Sequence, residues 1–360
     1  MKKALPIEEK KYESTILIKD LPVNEQIKNN LLVKGYLTPT EIQEKTLDAI
    51  LKGRNLMGIA QTGTGKTAAF LVPFIHQLVN TAPAFQVLIV VPTRELALQI
   101  ESEFKSIAKG LRMSSKCFIG GTSVGRDIEN LRTPSHFIIG TPGRLLDLSN
   151  HKGLRFENFT HLVLDEFDRL LDMGFSQDIQ KMVSRMSKRK QTVLFSATED
   201  PKQKSLINGL VTDPVSVRIS VKNESADHID QEIITVKNGE NKMDVLLSMI
   251  KDDSFKKVLV FAETKRWVSK VCKELLRNGV KADEIHGNKS QNYRQKALTN
   301  FKNEKIQVLV ATDVAARGLD IEMVSHVINY QKPKNLDNYI HRIGRTGRAG
   351  KSGKAFTFIN

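Results

Sequence analysis

The chain has 360 residues, 40% of them hydrophobic and 26% charged, and its 55 lysines and arginines outnumber 40 acidic residues for a net charge of +15. That composition suits a globular protein of roughly two domains and argues against wholesale disorder, while no apolar run approaches the ~18 residues of a membrane span. Only two cysteines occur, Cys117 and Cys272, which excludes a disulfide framework or a cysteine-rich zinc site.

The charge surplus favours polyanionic partners, because basic side chains displace condensed counterions from a phosphate backbone. Where a secretory signal would need an apolar stretch, the N-terminus reads Ile7-Glu8-Glu9-Lys10-Lys11. With so few cysteines, the expectation is a cytoplasmic protein in a reducing compartment, acting as a monomer without a membrane partner.

In chain order, short β-branched runs at 56–60, 87–91, 116–119, 137–139, 162–164 and 193–195 alternate with amphipathic segments. A second series follows at 233–236, 258–261, 308–310, 326–328 and 355–359. Apolar runs this short between helices predict parallel sheets covered on both faces, an α/β class. The alternation weakens between Asp213 and Gln231, which predicts a first domain at 1–218, a linker at 219–229 and a second domain at 230–360. Functional residues in such sheets belong at the carboxyl ends of strands.

After the first run comes Ala60-Gln61-Thr62-Gly63-Thr64-Gly65-Lys66-Thr67 and then a helix-like segment. This fits a phosphate loop with Ala60 in place of the first glycine. Gly63 and Gly65 let backbone N–H groups turn inward, Lys66 reaches terminal phosphates, and the Thr67 hydroxyl completes a magnesium shell. Leu162-Val163-Leu164-Asp165-Glu166 supplies what else a triphosphate site needs. Asp165 holds the ion, and Glu166 orients and deprotonates water.

On these motifs the sequence resembles the DEAD-box RNA helicases, whose fold is two tandem RecA-like domains. The motifs run from Gly35 to Arg348 in the family's order. The resemblance implies ATP hydrolysis with magnesium, coupled to local RNA duplex separation. A gated RNA clamp with little unwinding uses the same residues and is the alternative; assays of duplex release against ATP turnover separate the two. A DNA-translocating motor is disfavoured, with no DNA preference expected.

The stretch from Gly35 to Gln43 resembles the family's adenine-reading motif, with Gln43 bonding adenine bidentately and Tyr36 stacking on the ring. The family usually has phenylalanine roughly where Ile18 stands. The name-giving motif reads Asp165-Glu166-Phe167-Asp168, with Phe167 in place of alanine. That bulk predicts a compensating small residue or a rotated ring, with ATPase activity retained. Ser196-Ala197-Thr198 matches the third motif, its hydroxyls linking Asp168 to the second domain.

In the second half, His341-Arg342-Ile343-Gly344-Arg345-Thr346-Gly347-Arg348 packs three arginines into eight residues. By resemblance Arg345 and Arg348 reach the terminal phosphate, His341 holds the contact to the first domain, and Asp320 with Gly318 meets the ATP ribose. The full site is then expected to exist only when the domains close.

Four loops suit RNA backbone recognition without base reading: Pro92-Thr93-Arg94, Gly120-Gly121, Thr141-Pro142-Gly143-Arg144, and Gln291 with Arg294. Thr264 and the Thr312-Asp313 turn join them by resemblance. Lys188-Arg189-Lys190 reads as a solvated loop, Trp267 as a packing or partly exposed residue, and His286 as the end of a strand with no metal-ligand companions.

Overall fold

The computed structural model describes residues 12, 14–61, 63–82, 84, 86–198, 204–219, 229–237, 239–316, 324–333, 336–347 and 353–359. The chain divides into two compact units, Glu9–Val221 and Lys222–Asn360. The expected linker at 219–229 lies mostly outside the described residues.

The first unit begins with helices α1 (Glu25–Val33) and α2 (Glu41–Leu51), ahead of β1 (Leu56–Ile59) and α3 (Lys66–Leu78). Then come β2 (Val87–Val90), α4 (Arg94–Ile107), β3 (Ser115–Phe118), α5 (Val124–Leu131), β4 (Phe137–Gly140) and α6 (Pro142–Asn150). It closes with β5 (His161–Leu164), α7 (Phe167–Asp172), α8 (Ser176–Arg185), β6 (Gln191–Ser196), α9 (Lys204–Leu210) and β7 (Val215–Arg218). The strands form one parallel sheet in the order β3-β4-β2-β5-β6-β1-β7.

Alternate residues of each strand feed the two faces. Val87 and Ile89 join the apolar cluster with α2, α3 and α4, and Leu88 and Val90 join the one with α6, α7 and α8. Burial on both sides is why the strands read as unbroken apolar runs. β7 is an addition to the sequence reading: it lies where the alternation weakens, and its Val215-Ser216-Val217 pairs with β1 at the sheet edge.

The second unit runs β8 (Ile229–Thr235), α10 (Lys242–Ile250), β9 (Val258–Phe261), α11 (Lys265–Arg277), β10 (Ala282–Ile285) and α12 (Gln291–Lys302). It continues with β11 (Val308–Ala311), α13 (Asp313–Ala316), β12 (His326–Asn329), α14 (Leu336–Ile343) and β13 (Gly353–Ile359). Its parallel sheet has the order β10-β11-β9-β12-β13-β8, again with an apolar cluster on each face.

At the start of β12, His326 stacks on Phe255 with ring centroids 3.8 Å apart and 14° between planes. It is 4% exposed, and its Nε2 has no hydrogen-bond partner among the described residues. Burial, and then Lys354, push its pKa down to about 4 against the pull of Asp252. The folded state therefore holds it neutral. The stability this contributes is complete above the unfolded-state value near 6.5 and is lost as pH falls toward 4. Thermal unfolding at pH 5 should show a loss of about 1–2 kcal/mol relative to pH 7. His326→Phe, which keeps the stack, should reduce that loss; an unchanged pH dependence would remove His326 as its source.

Candidate nucleotide and nucleic-acid site

Six of the seven strands in the first sheet end in a loop that carries sequence-assigned residues, all at the carboxyl edge. The phosphate loop follows β1. Gly63 and Gly65 have φ of 87° and 91°, left-handed values that an L side chain adopts only at a cost. Gly65 caps α3, and a Cβ there would lie 2.5 Å from Gln43 Nε2. Thr64 Oγ1 donates to Gln61 O across the loop at 2.8 Å, and Thr62 lies outside the described residues.

Gln43 joins two motifs. Its Oε1 accepts from the Thr40 N–H at 3.0 Å as half of a capping box on α2, and its Nε2 donates to Gly65 O at 3.1 Å. An amide has two acceptor lone pairs and two donor hydrogens, so one of each remains for a base edge. Tyr36 stands nearby, 41% exposed, and borders a small apolar pocket with Ile18, Pro39 and Gln43. Ile18 itself is a core residue at 2% exposure.

Lys66, on the first turn of α3, is 7% exposed and donates to Ala60 O at 2.6 Å. Burial lowers its pKa, while Asp165, Glu166 and Asp168 pull the other way. Asp165 ends β5 at 2% exposure, and its Oδ1 accepts from the Glu166 N–H at 2.9 Å. Burial pushes its carboxyl up to about 6, Lys66 opposing and Glu166 and Asp168 adding.

Glu166 sits in the left-handed region at φ 50°, a strain that turns the chain sharply into α7. Its Oε2 pairs with Arg169 Nη1 at 2.7 Å, both side chains buried. The sequence reading passed over Arg169, which lies in the first turn of the helix that Glu166 caps.

Asp168 meets the motif after β6. Its Oδ2 accepts from the N–H and the Oγ1 of Thr198 at 3.2 and 3.1 Å. Ser196 Oγ accepts from the Asp168 N–H at 3.3 Å and donates to Thr198 O at 2.7 Å. Asp168 also caps Arg169 N at 3.0 Å. The tie is thus Thr198 to carboxylate and Ser196 to backbone. Phe167 is fully buried in the cluster with Leu170, Ile179 and Met182, so the core face takes up the ring's bulk.

Thr67 is half-buried and Asp165 buried, which offers a hydroxyl and a carboxylate as hard oxygen donors. Among the described residues no group of three or more His, Cys, Asp or Glu could hold a metal. That donor set fits magnesium, which takes one or two carboxylates and completes its octahedron with water and substrate phosphates.

The loops assigned to a nucleic-acid backbone separate into two kinds. After β2, Pro92 and Thr93 are buried, and Thr93 Oγ caps α4 on Leu96 N at 3.3 Å. Arg94 lies against Gly120-Gly121: a Cβ on Gly121 would fall 2.6 Å from its Nη1 and one on Gly120 3.0 Å from its Nη2. Two glycines let the guanidinium reach this loop.

Arg144, in a loop expected to meet the RNA backbone, is buried. At 7% exposure its Nη1 pairs with Asp127 Oδ2 at 2.6 Å and its Nη2 donates to Thr122 O at 2.8 Å. It fastens the Gly120–Thr122 turn to α6, whose start holds Thr141, Pro142 and Gly143. Asp127 was missed, having no local motif.

In the second unit, Thr264 caps α11, Gln291 opens α12 with Arg294 half-buried one turn on, and Thr312 is 8% exposed before α13. Asp313, in the turn joined to the RNA contacts by resemblance, is held bidentately by Arg342, Nε to Oδ1 at 2.6 Å and Nη2 to Oδ2 at 2.7 Å. Arg342 Nη1 also reaches Asn329 Oδ1 and Gln331 O. Arg345 is 6% exposed, and His341 half-buried on α14. Gly318, Asp320 and Arg348 lie outside the described residues. Arg189, expected in a solvated loop, bonds Thr192 Oγ1 and Leu210 O at 2.6 Å each.

Residues 40–206 match the DEAD/DEAH box helicase family and residues 241–350 the helicase conserved C-terminal domain. The ATP-dependent RNA helicase CshA of Limosilactobacillus reuteri is 40% identical over 340 residues, 94% of this chain and 68% of its own length. The DEAD-box ATP-dependent RNA helicase CshA of Streptococcus pneumoniae serotype 4 is 42% identical over 325 residues, 90% of this chain and 62% of its own. The chain therefore spans about two-thirds of these relatives' length. Among solved structures, S. cerevisiae Dbp5 bound to RNA and ADP BeF3 is similar at a TM-score of 0.83 and 28% identity, covering 96% of this chain and 89% of the other.

Two substitutions test the geometry. Gly121→Ala must displace Arg94 and adopt a left-handed φ, so the nucleic-acid concentration for half-maximal binding should rise about tenfold while nucleotide binding stays unchanged. Phe167→Ala empties a fully buried site and should cost about 3–5 kcal/mol of first-unit stability in denaturant unfolding. A loss below ~1 kcal/mol would mean that the neighbours collapse into the space.

Proposed function

This chain belongs to the DEAD/DEAH box helicase family, and on that premise we propose that it is an RNA-stimulated ATPase that separates or remodels short RNA duplexes. The observation that carries the reading is the convergence of Lys66, Asp165, Glu166 and Asp168 in one buried cluster at strand ends, with Thr198 bonded to Asp168.

The family resemblance suggests the roles. Gln43 and Tyr36 take the adenine, and residues 61–67 cradle the phosphates by backbone N–H groups at a helix N-terminus. Lys66 moves from Ala60 O to the terminal phosphates, a short swing for a flexible amine already buried beside them. Thr67 and Asp165 would hold magnesium, which neutralises charge on the β- and γ-phosphate oxygens when bound.

Glu166, oriented by Arg169, accepts the proton of the attacking water. By sequence resemblance Arg345 and Arg348 stabilise the phosphoryl group in transfer, Asp320 and Gly318 meet the ribose, and His341 aids the coupling. Thr198 and Ser196 sense the nucleotide through Asp168.

RNA is taken along its backbone by Thr93, Arg94, Gly120, Gly121 and the start of α6, and in the second unit by Thr264, Gln291, Arg294 and Thr312. Arg144 and Asp313 serve as braces for those loops. Such contacts read ribose and phosphate, so little sequence preference is expected. The two thiols, both pushed up to about 12 by burial, are unreactive; the scarcity of cysteine suits a cytoplasmic protein.

Glu166→Gln should lower RNA-stimulated turnover by about 10²–10⁴-fold while ATP and RNA binding persist. Turnover that survives the change would displace Glu166 as the water activator. Release of a labelled strand from a short RNA duplex should require ATP; turnover without release would reject duplex separation.

A further inference from the structure

Trp267 is the chain's one tryptophan, and it does not serve the core. On α11 the buried stripe is Val268, Val271, Cys272 and Leu275, each at most 3% exposed. That is the i, i+3, i+4, i+7 face that anchors a helix. Trp267 stands off this face at 37% exposure, in a run of exposed residues from Glu263 onward.

Its surroundings alternate rings with cations. Lys265 and Arg266 precede it, both exposed. Lys270 Nζ lies 4.8 Å from its ring centroid. The ring leans on Tyr330, centroids 6.2 Å apart at 49°, and Tyr330 in turn has Lys242 Nζ at 5.4 Å. Glu263 is the carboxylate in the run, its N–H held by Gln331 Oε1 at 2.7 Å.

Surfaces that hold single-stranded nucleic acid combine positive charge that tracks phosphates with flat rings that carry bases. Trp267 is also tied to a backbone contact. Its backbone N–H donates to the Oγ1 of Thr264 at 3.2 Å, so the residue that carries the ring lies in the first turn of the helix that Thr264 caps.

We propose that Trp267 is a stacking platform for an unpaired base of the RNA strand whose backbone meets Thr264. The inference rests on the RNA reading above and adds to it a contact with a base face, sequence-tolerant because every base has one. Lys265, Arg266 and Lys270 supply charge for the flanking phosphates.

A lone tryptophan makes its own emission a direct probe. The intact chain, with a non-hydrolysable ATP analogue, is titrated with a single-stranded RNA oligonucleotide, and the anisotropy of a dye on the RNA reports binding independently. Emission should be quenched in step with anisotropy. Trp267→Ala should weaken RNA binding about tenfold, within the range for loss of one stacked base. Trp267→Phe should recover most of it, and RNA-free ATPase should be unchanged in both variants.

Anisotropy that reports binding while emission stays constant and Trp267→Ala binds as tightly as the parent would overturn the stacking proposal and leave the RNA reading standing. No anisotropy change with the parent chain would overturn both.

Discussion

Everything at the first unit's carboxyl edge depends on how four buried charged groups share one small volume. Lys66, Asp165, Glu166 and Asp168 are each at most 7% exposed. Burial costs each of them hydration, and neighbours offset it: Ala60 O and the carboxylates for Lys66, the Glu166 N–H and Lys66 for Asp165, Arg169 for Glu166 and Thr198 for Asp168. Groups fixed in a place that excludes water act strongly on a phosphate and need little reorganisation when charge develops. The rise of the Asp165 pKa to about 6 is the visible cost of that arrangement.

A second theme is the use of arginine as a brace. Arg144 on Asp127 and Arg169 on Glu166 are buried pairs, and the buried Arg342 holds a half-buried Asp313, all at the edges of the candidate site's loops. Buried ion pairs add little net stability compared with apolar packing, yet losing one partner is costly because a buried charge is left alone. Their value here is geometric. Each fixes the direction of the loop beside it.

Much of this was legible in advance. The strand runs of the first sheet were readable because burial on both faces makes them continuous and apolar, and the phosphate loop because its chemistry lies within eight consecutive residues. β7 was not, since four residues with two exposed positions carry no pattern above background. Phe167 looked like an intrusion into a tight motif, and only the fold shows the position pointing into the core.

Which side chains could do phosphate chemistry was set by local order along the chain: glycines beside a lysine, a pair of carboxylates after an apolar run, hydroxyls after another. Which cations remain turned outward was decided only by folding. Arg144 finds Asp127 from 17 positions away, Arg342 finds Asp313 from 29, and Thr198 finds Asp168 from 30. A linear pattern records the spacing of neighbours within a turn or a strand, whereas these pairings arise because crossovers bring successive strand ends to one edge, where charged and polar groups removed from water must find partners.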